Sequence, residues 1–175
     1  MSKKTITNIK QPKKFRSEIF NDPRGFLISY SKKLREYSTN KLIHEIFTYT
    51  EKKKVFRGLH FQKPPSDQGK LLTLIKGSII DYVVNINIKS NFGKVYKFKL
   101  NTGDVLWIPT GYCHGYKTLT SKVTINYKLT KNYSSINSSG IKPEIFNIKV
   151  KPCARSKQDA LWETNIDDLK KIIWK

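Results

Sequence analysis

The 175-residue chain is 38% hydrophobic and 12% aromatic, which suits one folded domain spanning residues 1–175 and excludes a disordered chain. Its formal net charge of +21 points first to nucleic acid, but the arginines that bidentate base contacts favour are only Arg16, Arg24, Arg35, Arg57 and Arg155. The wealth of Lys, Asn and Ile instead indicates AT-rich codons, so nucleic acid is set aside as a partner and attraction of an anionic small molecule is kept.

No apolar run reaches the roughly 20 residues of a membrane-spanning helix. The basic start, residues 1–5, has no apolar segment behind it, so the expected location is the cytoplasm with no membrane partner. In that reducing compartment Cys113 and Cys153 are expected as free thiols.

In chain order, a turn at Asn21-Asp22-Pro23-Arg24-Gly25 precedes a short helix expected over 30–37. The middle of the chain reads as β. Strands are expected over 55–61, 71–75, 79–88, 95–100, 105–108, 112–119 and 123–129, each rich in Val, Ile and aromatic residues. Turn residues separate them, among them Lys76-Gly77-Ser78, Asn101-Thr102-Gly103-Asp104 and Pro109-Thr110-Gly111. Many short strands at near-regular spacing predict an antiparallel sandwich or barrel. Near the C-terminus, Ser156 to Trp162 predicts a helical turn, and a second helix is expected over roughly 168–174.

The most informative stretch runs from Gly103 to His114. It matches the second cupin motif, G-x5-P-x-G-x2-H, through Gly103, Pro109, Gly111 and His114. One glycine makes the turn before a strand, Pro-x-Gly makes the turn after it, and the next strand aims His114 into a barrel mouth. A metal-binding cupin also needs H-x-H and a glutamate on an earlier strand. The corresponding segment is Arg57-Gly58-Leu59-His60-Phe61-Gln62, with Gln62 where the second histidine would stand. The histidines number three, His44, His60 and His114. The expectation is therefore a cupin without metal or other cofactor.

On a strand, His60 points away from Leu59 and Phe61; if those two face the outer shell, His60 faces the cavity. Lys70 opens the next apolar strand. Val123, Ile125, Tyr127 and Leu129 share one face of theirs.

Arg57-Gly58-Leu59-His60-Phe61-Gln62, with Gln68-Gly69-Lys70-Leu71, resembles the R-G-L-H-F-Q and Q-G-K-L signatures of dTDP-4-dehydrorhamnose 3,5-epimerases. So do Asp22-Pro23-Arg24-Gly25-Phe26, Asn91-Phe92-Gly93-Lys94, His114-Gly115-Tyr116, Tyr127-Lys128-Leu129-Thr130 with Tyr133, and Ser156-Lys157-Gln158-Asp159. These blocks run in order from about residue 15 to 160.

The resemblance implies a mainly β fold: a cupin jelly-roll barrel of antiparallel strands with short flanking helices. It implies epimerisation, at C3, C5 or both, of a 4-keto-6-deoxyhexose carried on a nucleoside diphosphate, most simply of the dTDP type. His60 would be the base and Asp159 would orient it. Lys70 would stabilise the oxyanion, and Tyr127 would be the acid on the opposite face. Arg57 and Arg24 match diphosphate-binding positions. Phe26, Gln62, His114 and Tyr133 match other substrate-contact positions, and Asp81 matches an aspartate expected near Lys70. The resemblance also implies a homodimer that exchanges N-terminal strands, so Arg24 would reach the neighbouring site.

The chain departs from the pattern at Ser29, at Phe47 within Glu45 to Glu51, at Lys142-Pro143-Glu144 and at Gln158, where the family usually carries lysine. The proton-transfer set is intact while substrate-contact positions differ. The alternatives are a 3,4-ketoisomerase of the same sugar class, which typically shows H-x-H at His60-Phe61-Gln62, and a non-catalytic sugar-nucleotide-binding cupin.

Overall fold

Alternating apolar residues fold the middle of the chain into two facing antiparallel sheets. The computed structural model describes residues 10–29, 42–150, 153–162 and 164–174. The strands are β1 (Lys13–Arg16), β2 (Glu18–Asp22), β3 (Gly25–Ser29), β4 (His44–Thr50), β5 (Phe56–Gln62), β6 (Lys70–Lys76), β7 (Ser78–Asn85), β8 (Val95–Asn101), β9 (Asp104–Ile108), β10 (Tyr112–Thr118), β11 (Val123–Leu129) and β12 (Ser138–Gly140). A 3₁₀ turn at Pro143–Phe146 and two short helices, α1 (Lys157–Leu161) and α2 (Ile166–Lys170), follow. The first sheet has the order β1-β9-β6-β11-β4 and the second β12-β5-β10-β7-β8, while β2 and β3 form a separate hairpin. This is the jelly-roll arrangement of a cupin. Among the described residues no helix is long and apolar enough to cross a membrane.

The space between the sheets is filled by Leu72, Leu74, Val83, Leu100, Leu106 and Ile125, with Tyr116 and Tyr127 at one end. Burying each such aliphatic side chain contributes roughly 1.5–3 kcal/mol. A second apolar layer lies on the outer face of the second sheet. There Leu59 and Phe61 pack with Ile86, Ile148, Leu169 and Trp174, so the C-terminal segment covers this face. The alternation along β5 thus turns Leu59 and Phe61 outward and leaves His60 to the interior.

The strands expected over 55–61, 71–75, 95–100, 105–108, 112–119 and 123–129 are present with bounds shifted by a residue or so. The strand expected over 79–88 ends at Asn85 instead. There the Asn85 Oδ1 accepts the Asn87 N–H at 2.9 Å, and the Asn87 Oδ1 accepts the Lys89 N–H at 3.0 Å. These consecutive Asx turns bend the chain although Ile86 and Ile88 continue the apolar pattern. The second C-terminal helix begins earlier than expected, because Asn165 and Asp168 form a reciprocal capping box. It stops at Lys170, and Trp174 buries its indole, donating Nε1–H to the Ile86 carbonyl at 3.2 Å. The helix expected over 30–37 lies outside the described residues. Cys113 and Cys153 are both free.

The site depends on how closely β5 and β10 approach. Their register shifts between His114 and Tyr116, and His114 pairs directly with His60. Gly58 and Gly115 meet at this irregularity. A Cβ on Gly115 would lie 2.6 Å from the Arg57 carbonyl oxygen and 2.9 Å from the Gly58 Cα. Both obstacles are backbone, so they cannot swing aside. Gly115→Ala is expected to destabilise the protein by about 1–3 kcal/mol, seen as a lower urea midpoint at unchanged slope.

Candidate active site

One cavity of about 930 Å³ opens between the two sheets, and the C-terminal segment forms part of its rim. The first sheet contributes Lys70 from β6 and Tyr127 from β11. The second contributes Arg57, His60 and Gln62 from β5 and His114 from β10. Asp159 on α1 closes the wall beside His60.

His60 Nε2 lies 2.6 Å from Asp159 Oδ1. The other carboxylate oxygen accepts the Gly58 backbone N–H at 3.2 Å. Ser156 caps α1, its hydroxyl accepting the Asp159 N–H at 3.0 Å, which fixes where the carboxylate emerges. Asp159 is only 5% exposed, while the His60 side chain keeps 41% of its surface. Burial alone would raise the Asp159 carboxyl. The hydrogen bonds and charge of His60, the Gly58 N–H and Trp162 outweigh burial and hold it below the usual carboxylate value. An ionised Asp159 requires a proton on Nε2, so the other ring nitrogen, Nδ1, is left as the base. The Trp162 ring stands edge-on to the imidazole, with centroids 6.3 Å apart.

Deeper in the barrel lies a second group. His114 Nδ1 is 3.2 Å from Asp81 Oδ2, and both side chains are almost wholly buried. Burial, with Lys70 and His60 nearby, pushes His114 well below the usual imidazole value, so it is neutral. Burial raises Asp81 and the Lys70 ammonium partly opposes this. Lys70 keeps some contact with the cavity, but burial pushes its ammonium down to about 8, with Asp81 and Cys113 acting in the other direction. Tyr127 packs against His114 in a T-shaped contact at 5.9 Å. Burial, Tyr116 and Asp81 raise the Tyr127 phenol well above its ordinary value, partly offset by Arg57, so it keeps its proton. The Cys113 thiol is pushed up to about 12 by burial and is no nucleophile at neutral pH.

His60, Lys70, Tyr127, Asp159, Arg57, Gln62, His114 and Tyr133 thus meet around one space, with Asp81 directly behind His114. The Gln62 Oε1 accepts the Ser134 N–H at 3.0 Å, so this side chain braces the neighbouring loop. Arg24 and Phe26 do not reach the cavity of their own chain. They sit on the β2–β3 hairpin, where Arg24 pairs with Asp22 at 2.6 Å and Phe26 is exposed. Four further lining residues, His44, Thr48, Arg155 and Trp162, escape sequence reasoning. They come from an edge strand and an irregular segment with little periodicity. Among the described residues no cluster of three or more His, Cys, Asp or Glu side chains could hold a metal ion.

A cupin double sheet that gathers an oriented imidazole, a buried ammonium and a buried phenol around one cavity defines a proton-transfer enzyme. The profile of the dTDP-4-dehydrorhamnose 3,5-epimerase family matches residues 6–166. A Sinorhizobium fredii protein of that name is 32% identical over 144 residues, which cover 77% of this chain and 72% of the relative. The Bacillus anthracis enzyme of the same name, solved with TDP and PPi bound, superposes with a TM-score of 0.79 at 30% identity, over 89% of this chain and 95% of that one. A Legionella pneumophila dTDP-6-deoxy-D-glucose-3,5-epimerase, solved with dTDP-4-keto-L-rhamnose, gives a TM-score of 0.79 at 26% identity, over 96% and 97% of the two chains. The chain belongs to the dTDP-4-dehydrorhamnose 3,5-epimerase family. It is an isomerase, a nucleotide-sugar epimerase of deoxysugar biosynthesis.

The buried charges give a direct test. Asp81 supports the charged form of Lys70, so Asp81→Asn should lower the Lys70 pKa further below about 8. NMR titration of the Lys70 side-chain methylene reads this shift.

Proposed function

We propose that this chain inverts C3, C5 or both of a dTDP-linked 4-keto-6-deoxyhexose, with His60 as base and Tyr127 as acid. One observation carries the reading: His60 and Tyr127 line one cavity from opposite sheets, with Lys70 lining it from β6, the strand beside that of Tyr127. The 4-keto group acidifies the neighbouring C–H bonds. His60 Nδ1 takes the proton, and the C–H electron pair moves into the ring as an enolate. The negative charge collects on the former keto oxygen, where the Lys70 ammonium stabilises it. Tyr127 then delivers its proton to the opposite face of the same carbon, and the carbonyl re-forms. Asp159 keeps the imidazole in the productive tautomer and stabilises the imidazolium. Before a second centre reacts, the imidazolium gives its proton to solvent and the Tyr127 phenolate takes one back, so that base and acid are reset.

The dTDP moiety is supported by the family match and by the TDP and dTDP-sugar bound to the Bacillus anthracis and Legionella pneumophila relatives. Arg57 would take the diphosphate, and Gln62, His114 and Tyr133 would shape the sugar and nucleotide contacts. Arg24 and Phe26 would act in the partner's site within a homodimer that exchanges the β2–β3 hairpin. The exposed Phe20, Phe26 and Leu27 on that hairpin support this reading, since such residues gain by being covered. The chemistry of Ser29, Phe47, Lys142 and Gln158 suits a sugar or a stereochemical outcome different from the common one.

Incubation with a dTDP-4-keto-6-deoxyhexose in D2O should place deuterium at C3, C5 or both. His60→Asn should slow exchange by about 10²–10⁴-fold. Tyr127→Phe should still exchange the proton on the His60 face but lose net inversion. Equal exchange in wild type and His60→Asn would remove the base assignment. Because the charged form of Lys70 is the one that stabilises the enolate, kcat should fall as pH rises through about 8.

A further inference from the structure

Arg155 is a cation at the cavity that the mechanism above leaves unused. It lines the same space as Arg57 and His60. Its backbone is fixed by a short parallel bridge, in which Ala154 pairs with Val55. There the Phe56 N–H donates to the Ala154 carbonyl at 2.8 Å, and the Ala154 N–H donates to the Lys54 carbonyl at 2.9 Å. The bridge sets Arg155 beside the start of β5, two residues before Arg57 projects into the same cavity. The Arg155 side chain is only 15% exposed.

Two contacts hold its guanidinium in place. It lies 5.8 Å over the centre of the Phe56 ring. It also forms a two-point ion pair with Glu144 of the 3₁₀ turn, Nη1 to Oε2 at 3.3 Å and Nη2 to Oε1. Glu144 is half exposed, so the pair spans from the surface to the cavity rim. An arginine carries five N–H donors in a rigid fork. A carboxylate bound across its two Nη groups leaves further N–H groups aimed away from that carboxylate. On the adjoining stretch, Gln158 lines the cavity without charge.

We propose that Arg155 is a substrate-binding residue that grips the diphosphate of the sugar nucleotide together with Arg57, and that Glu144 is the positioning residue that holds the fork toward the cavity. The inference rests on the sugar-nucleotide reading of this site. A guanidinium matches two phosphate oxygens at once, and pre-orientation by Glu144 and Phe56 reduces the entropy lost on binding. The 154–159 segment thereby contributes to the anion-binding site, and its other task is to carry Asp159 to His60.

The test is calorimetric binding of TDP and of thymidine, which lacks phosphate, to the full-length protein. Wild type should bind TDP. Arg155→Gln should weaken TDP by roughly tenfold or more and leave thymidine affinity as it was. Arg155→Lys keeps a cation and an apolar stem over Phe56 and should recover part of the loss. Glu144→Gln should weaken TDP by a smaller factor. In steady-state kinetics the loss at Arg155→Gln should fall more heavily on KM than on kcat. Equal TDP affinity in wild type and Arg155→Gln overturns the inference and leaves the substrate reading standing. Parallel weakening of TDP and thymidine also overturns it, because Arg155 then only supports the wall. Absence of TDP binding by the wild type overturns the substrate reading itself.

Discussion

Two bonds to one carboxylate join the ends of the active site. Asp159 reaches His60 across 99 residues of sequence and the Gly58 N–H across 101. Removing an aspartate from water is costly unless its charge is matched. Here the match requires the imidazole, the β5 backbone and the N-cap of α1 to come together at once. The Asp159 carboxyl remains below its ordinary value despite burial, so the native pairing outweighs desolvation. The C-terminal segment therefore both covers the barrel and orients the base. The apolar packing of Leu169 and Trp174 over Leu59 and Phe61 secures the same segment from behind.

The two sheets divide the chemistry. The first supplies an ammonium and a phenol, the second supplies imidazoles and, through α1, a carboxylate. Burial between them shifts the Lys70, Tyr127 and His114 equilibria. Burial keeps the phenol protonated and His114 neutral. It also weakens the hold of Lys70 on its proton without removing the charge below about pH 8. No single residue type accounts for this. The same desolvation acts with opposite sign on acids and bases, and neighbouring charges decide how far each shift goes.

Much of this was legible in the sequence. The turn residues and Val-, Ile- and aromatic-rich runs marked seven of the strands; six of these are central in their sheets, and the seventh, β8, is an edge strand whose exposed residues alternate with more buried ones. The alternation Leu59-His60-Phe61 located the cavity face of β5 correctly. The strands β1 to β4 and β12 were not anticipated. They lie at sheet edges or in a hairpin, four of them are five residues or fewer, and β4 exposes residues such as Phe47 and Tyr49, so their alternation carries little contrast. Asn85 and Asn87 ended a strand through side-chain turns that an apolar count overlooks. Within the site, blocks matching family motifs identified the residues on β5, β6, β10 and β11. Arg155, Trp162, Thr48 and His44 were missed because nothing in their local sequence distinguishes a cavity wall from a surface loop.

The depressed Lys70 pKa has one more consequence, outside the reaction itself. Near pH 7.4 an amine titrating at about 8 is uncharged in roughly a fifth of molecules. Ammonium groups in water, which supply most of the +21 charge of this chain, are uncharged far more rarely. Lys70 is thus found as the nucleophilic free amine more often than a lysine in water, and it lines a cavity rather than the surface. A ligand seated in the cavity would cover this amine. Occupancy of the site would then double as protection of its amine.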